Sequence, residues 1–211
     1  LAKQHSMVLA RQDELTEELQ EHQVALAETS ARADAAMAEL EADDSVKAVI
    51  LTGQSKFFSA GLDLKTLPAL PRDELLPVLV QFSDLTLDLF AFPKPLIAAV
   101  NGHALAGGCV LLLCCDRRLV VERGAKIGLN EVAIGLALPA FVSELAVFAL
   151  GQRGIQEAVM EAKVYEPDEA VSVGYAHSIH SPEALLEEAS AVARRMALLS
   201  TSAYGTTKRR L

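Results

Sequence analysis

At 211 residues the chain is long enough for one large domain or two small ones, and a chain of this size buries roughly 70% of the surface its unfolded form exposes. Hydrophobic residues make up 51% and charged residues 22%, with no Trp, which excludes a disordered, collagen-like or disulfide-scaffold protein. Against 28 acidic residues stand 19 basic ones, and the resulting net charge of −9 repels polyanions, so the composition argues against dedicated nucleic-acid binding.

The opening LAKQHSMVLARQDEL has neither the apolar centre of a signal peptide nor the Arg/Ser-rich pattern of a transit peptide, and the expectation is that the natural N-terminus lies upstream. From Arg11 to about Ala42, the positions Leu15, Leu19, Val24, Leu26, Ala33, Met37 and Leu40 fall loosely on one face and predict one long helix or two shorter ones. They hold no strict seven-residue repeat, so a packed surface helix is expected rather than a coiled coil. Val46 to Thr52 (VKAVILT), β-branched and nearly continuous in apolarity, predicts a strand buried on both faces of a parallel sheet. A loop, GQSKFFSAGLDL, follows. Arg72 to Phe90 carries Leu75, Leu79, Phe82 and Leu89 at helical spacing and is stopped by Pro93 and Pro95.

Leu96 to Val100 predicts a second strand, Asn101 to Ala106 a loop, Cys109 to Cys115 a buried helix, and Leu119 to Val121 a short strand. Strand and helix signals thus alternate, which argues for an α/β protein built around a largely parallel sheet. Helices are expected from Pro139 to Leu150, Ile155 to Ala162 and Ala184 to Leu199, a turn at Glu166 and Pro167, and a solvated basic terminus at Lys208, Arg209 and Arg210. No apolar run approaches the roughly 20 residues of a membrane span, so no membrane association is expected. Cys109, Cys114 and Cys115 suit neither a disulfide framework nor a four-ligand zinc site, which points to a reducing, intracellular setting and to no metal.

Two loops share one design, a buried strand followed by a glycine turn and a helix: Ser59, Ala60, Gly61, Leu62 after VKAVILT, and Ala106, Gly107, Gly108 after PLIAAV. Glycine lets backbone N–H groups approach a ligand closely, and two converging donors would make an oxyanion hole. The same glycines also serve ordinary tight turns, and spacing alone leaves both readings open. Ser59 lacks a GxSxG elbow, so a hydrolase triad is not expected.

The text of these loops goes further. KFFSAGLDL, then AAVNGHALAGGCVLLLCCDRRLV, then IGLNEVAIGLALP, in order from about Val46 to Val173, resemble the three signature segments of the crotonase (enoyl-CoA hydratase/isomerase) superfamily. The resemblance implies a spiral of ββα units as a core over residues 1–150, a C-terminal helical trimerisation region over 151–211, and a homotrimer or hexamer that binds acyl-CoA. It implies no cofactor, the coenzyme A thioester being the substrate, and a cytoplasmic, mitochondrial-matrix or peroxisomal location. The N–H groups of Leu62 and Gly107 are implied as the thioester-oxygen donors, and Ala60, Asp63, Leu64, Lys65 and Gly108 as substrate- or coenzyme-binding positions. His103 is expected to be a hydrogen-bonded loop residue, Asp116 a structural hydrogen-bonder, and Lys208 a residue that a neighbouring subunit's ligand could use or a solvated one. The family's first strands precede the point where this sequence opens.

Hydratases of this family place one glutamate three residues beyond the oxyanion glycine and a second in the third motif; here those positions are Val110 and Glu131. Dienoyl-CoA isomerases place an aspartate where this chain has Pro139. One carboxylate serves water addition poorly but suffices to carry a proton between two carbons of one chain. The pattern resembles monofunctional Δ3,Δ2-enoyl-CoA isomerases, with Glu131 as base. Weak hydration, thioester hydrolysis or a non-catalytic acyl-CoA-binding scaffold are the alternatives. Ile127, Leu129, Val132, Ile134 and Leu136 are expected to raise the Glu131 pKa by desolvation.

Overall fold

The structure is a computed structural model that describes residues 32–62 and 71–211. The predicted helix positions before residue 32 and the candidates Asp63, Leu64 and Lys65 lie outside the described residues. The chain divides into two compact units, Leu1–Glu39 with Asp63–Leu85, and Leu40–Leu62 with Thr86–Leu211. The described part of the first comes from helix α1 (32–42) and helix α2 (Arg72–Ala91).

The second unit holds two parallel sheets. The first has the order β1 (Val49–Thr52), β3 (Leu96–Val100), β5 (Arg117–Val121), β7 (Ser178–His180), and the second the order β2 (Phe57–Ser59), β4 (His103–Leu105), β6 (Ile127–Gly128). Successive strands alternate between the sheets. β1 and β2 are followed by α2, β3 and β4 by α3 (Gly107–Leu113), and β5 and β6 by α4 (Ala140–Ile155). This is the repeated ββα path the sequence resemblance implies.

Residue choice explains the layering. All five residues of β3, LIAAV, are buried, as a central strand covered on both faces requires. α6 (Leu185–Met196) packs on β1, β3 and β5 through a face that buries Leu185, Ala189 and Val192 at positions one and two turns apart. α3 packs against β2 and β4 and buries Cys109, Val110, Leu112 and Leu113. α4 breaks at Gly151, where φ is 71°, and a five-residue π segment, Gln156–Met160, follows it, so the two helices expected across 139–162 are nearly continuous in sequence.

Two short strands, β2 and β4, stand where loops are expected, and β6 and β7 are unforeseen. Glu166 and Pro167 begin helix α5 (Pro167–Val173) rather than making a turn. Glu166 and Glu169 form a reciprocal capping box, and Pro167 sits in the first turn, where its missing N–H costs nothing.

Lys208, in α7 (Thr201–Lys208), is neither solvated nor free. It is 5% exposed, and its Nζ donates at 2.8 Å to Asp116 Oδ2, which also accepts the Leu96 N–H at 2.8 Å. Asp116 is therefore the structural hydrogen-bonder expected of it, fastening α7 to the start of β3. Lys208→Met should lower stability by about 3 kcal/mol, because it strands a largely buried carboxylate. The double variant Asp116→Asn/Lys208→Met should recover most of that loss in urea unfolding, and a fully additive double variant would deny the pairing.

Candidate active site

β2, β4 and β6 run parallel, Ser59 beside Ala104 and Leu105 beside Gly128, with a register shift between Phe57 and Ser59, so their C-terminal ends emerge at one edge of one sheet. Leu62 follows β2, Gly107 follows β4 and Glu131 follows β6, each within three residues of its strand's end. The sheet that the sequence does not announce is thus what gathers the three residues that the sequence singles out.

The first two loops touch. A methyl group on Gly61 would lie 2.7 Å from the Gly107 nitrogen, and one on Gly108 only 2.0 Å from the Ser59 carbonyl oxygen. Ser59 Oγ accepts the Gly61 N–H at 3.1 Å, a local turn bond rather than part of a triad. Ala106 is held at φ 47°, ψ −126°, unusual for a residue with a side chain. Its carbonyl accepts the Cys109 and Val110 N–H groups at 2.8 and 3.1 Å, starting α3. Among the described residues the N–H groups of Leu62 and Gly107 have no hydrogen-bond partner, and both residues are only half-buried. Such donors can meet an oxygen from outside the chain.

Glu131 is 9% exposed, and its Oε2 is buried with no hydrogen-bond partner among the described residues. Its backbone is fixed instead: the Glu131 carbonyl accepts Ile134 N–H at 3.0 Å and Leu136 N–H at 2.9 Å across a short 3₁₀ turn, Val132–Ile134. Burial pushes the carboxyl pKa above the ordinary glutamate range. The direction is as expected, but the walls are only partly those expected. Ile127 and Leu129 are fully buried, whereas Val132, Ile134 and Leu136 turn outward with 42–46% exposure.

Burial likewise raises the Cys109 thiol pKa, with the Glu131 charge adding to it. Fully buried, that thiol has a packing role. Val110, where a second carboxylate would stand, is buried in α3 at 2% exposure.

The remaining candidates separate. Ala60 is exposed on the first loop, while Gly108 is buried against Ser59. His103 opens β4 with its ring 5.2 Å from that of Phe57, and its Nδ1 is buried without a partner among the described residues, so the expected hydrogen bond is not made there. Two residues near Glu131 carry no signal in the sequence. Tyr175 Oη accepts the Leu129 N–H at 3.4 Å, and Asn130 Oδ1 accepts the Ala106 N–H at 3.1 Å. Asn130 stands in the quoted IGLNEV segment, but no spacing rule marks a side chain that reaches a residue 24 positions earlier. An apolar cavity of about 510 Å³, lined by Phe90, Phe141, Leu145 and Phe148 among others, shares no residue with this cluster.

The family described as enoyl-CoA hydratase/isomerase matches residues 17–211. A Thermus thermophilus protein named for enoyl-CoA hydratase is 38% identical over 176 residues, 82% of this chain and 69% of that protein. A mouse mitochondrial enoyl-CoA delta isomerase is 35% identical over 137 residues, 64% of this chain but only 47% of its own length. Among solved structures, an apo enoyl-CoA isomerase of Mycobacterium tuberculosis superposes with a TM-score of 0.75 at 33% identity, covering 89% of this chain and 78% of that one. A Bacillus anthracis enoyl-CoA hydratase gives 0.79 at 25% identity, over 85% and 70%. Sequence match, fold and the three-loop geometry agree: the chain belongs to the enoyl-CoA hydratase/isomerase family.

Proposed function

We propose that the protein is a Δ3,Δ2-enoyl-CoA isomerase, which moves the double bond of a 3-enoyl-CoA into conjugation with the thioester. The observation that carries this reading is a buried carboxylate, Glu131, whose Oε2 has no partner among the described residues, at the same sheet edge as the N–H groups of Leu62 and Gly107, likewise unpaired among the described residues, and with Val110 in place of a second acid. The thioester oxygen accepts hydrogen bonds from Leu62 and Gly107. Glu131 takes a proton from C2, the electron pair moves into the carbonyl to give a dienolate, and the protonated Glu131 returns the proton to C4. Each donor supplies about 3 kcal/mol to the dienolate, so the pair matters as much as the base. Desolvation strengthens the base, and the cycle as written ends with the enzyme in its starting state and uses no cofactor. Ala60, Asp63, Leu64, Lys65 and Gly108 are proposed to line the thioester and coenzyme side of the site.

The assay is spectrophotometric: a 3-enoyl-CoA should gain the absorbance of the conjugated 2-enoyl thioester on adding the protein. Faster water addition to a 2-enoyl-CoA than isomerisation would favour the second reading, a hydratase, which the 38% identical Thermus relative's name supports. Binding without turnover would favour an acyl-CoA-binding scaffold.

An assembled trimer or hexamer fits the apolar residues exposed within 151–211, among them Met160, Leu186, Leu198 and Leu199. Sedimentation of the protein should give a mass three or six times that of the chain. Among the described residues no helix is long and apolar enough to cross a membrane.

A further inference from the structure

The geometry points to Asn130 as a positioning residue that sets the Gly107 oxyanion donor from the loop that carries the base; this deepens the isomerase reading and rests on it. The Ala106 N–H is shared between two acceptors from the β6 segment, Gly128 O at 3.0 Å and Asn130 Oδ1 at 3.1 Å. The first is a sheet-type bond that any residue could make. The second is a side-chain bond from the residue immediately before Glu131 to the residue immediately before Gly107. Ala106 needs such an anchor, because its φ of 47° is one that side-chain-bearing residues rarely adopt. The Ala106 carbonyl, given to Cys109 and Val110, shares its trans peptide plane with the Gly107 N–H, so that N–H points the opposite way, away from the body of α3. Base and donor are therefore tied by one bond, and any shift of the third loop moves both.

An amide suits the position for a second reason. It accepts the Ala106 N–H while adding no charge beside a site that must hold a developing enolate. An aspartate would make the same bond with a negative charge in the wrong place. Hydrophobic or small residues would leave the Ala106 N–H with the Gly128 carbonyl alone.

The test uses the whole chain, with trans-2-hexenoyl-CoA, the product form of a 3-enoyl substrate, as the bound probe. Its thioester carbonyl stretch, read by isotope-edited infrared difference spectroscopy, reports polarisation by the two donors. Steady-state kinetics with a 3-hexenoyl-CoA run alongside. In Asn130→Ala the carbonyl shift should shrink and kcat fall by about tenfold or more, with KM within about twofold, since a loosened hole affects the charged intermediate more than the ground state. In Asn130→Asp the carbonyl shift should be weakened by the added charge but retained, because the Ala106 bond is kept, while kcat stays low. An Asn130→Ala protein with wild-type carbonyl shift and kcat would overturn the inference. So would an Asn130→Asp protein that loses the shift, which decides the matter if the alanine variant fails to fold. Wild-type protein that shows the carbonyl shift and its loss in Asn130→Ala, yet does not isomerise 3-hexenoyl-CoA, would instead remove the isomerase reading and leave the positioning role standing.

Discussion

Replacing Glu131 by Gln should reduce isomerisation by about 10²- to 10⁴-fold, the range spanned by a positioned acid–base group, while KM for the acyl-CoA changes little. Gln keeps the shape and volume of the side chain but has no oxygen basic enough to accept a carbon-bound proton. In the proposed mechanism the carboxylate's contribution falls on the two proton transfers, whereas the thioester is held by main-chain donors on other loops, so binding and chemistry separate. Stability should move the other way. The Glu131 pKa is raised by burial, so the folded state binds the proton more tightly than the unfolded one. Between the ordinary glutamate value and that elevated value, wild-type stability falls as pH rises, because the group must ionise where burial disfavours its charge. The neutral amide of the variant has no such transition. The Glu131→Gln variant should therefore melt at a higher temperature than wild type at neutral pH, and the difference should vanish as the pH drops below about 4.3, where the carboxyl is protonated in both states. A variant with undiminished turnover would remove Glu131 from the mechanism. One no more stable than wild type at neutral pH would show that the carboxylate is solvated.

The contrast between what is legible in the sequence and what is not follows from the length over which each signal acts. β3 is legible to the residue because five consecutive buried apolar positions between Pro95 and Asn101 leave one interpretation, and α6 because its apolar positions recur at turn intervals. The second sheet has no such pattern. FFS, HAL and IG are two or three residues long, too short for alternation to register, and they are strands only because neighbours from other turns of the spiral pair with them. The donors at Leu62 and Gly107 are legible because each belongs to a local glycine turn and their text resembles a known family. The Lys208–Asp116 and Asn130–Ala106 bonds are not, since they join positions 92 and 24 residues apart. The desolvation of Glu131 follows in direction from its apolar flanks. Which flanks act does not, because the 3₁₀ turn after the base points three of them outward, and only the tertiary path decides that.

Gly61→Ala should drive a methyl group between the two donor loops and damage the site. Gly61 has φ +79°, and an added Cβ would lie 2.7 Å from the Gly107 nitrogen, 2.8 Å from its Cα and 2.9 Å from the Gly108 nitrogen. These are backbone atoms at the start of a buried helix, with no flexible side chain to swing aside, so one of the two donor loops must retreat. A displacement of several tenths of an ångström at one donor weakens its bond to the dienolate oxygen and misaligns C2 against Glu131 at once, and kcat/KM should fall by about 10²-fold. The left-handed backbone alone would cost about 1–2 kcal/mol of stability in an alanine, and that part needs separating from the crowding. Gly124 provides the control: its φ is +76°, and a Cβ there meets nothing within 4 Å. Gly124→Ala should carry the same backbone strain and leave kcat/KM unchanged. The difference between the two variants, in activity by steady-state kinetics and in stability by denaturant unfolding, then measures the contact between the loops. Equal activities in Gly61→Ala and Gly124→Ala would mean that the Leu62 and Gly107 loops do not share a substrate.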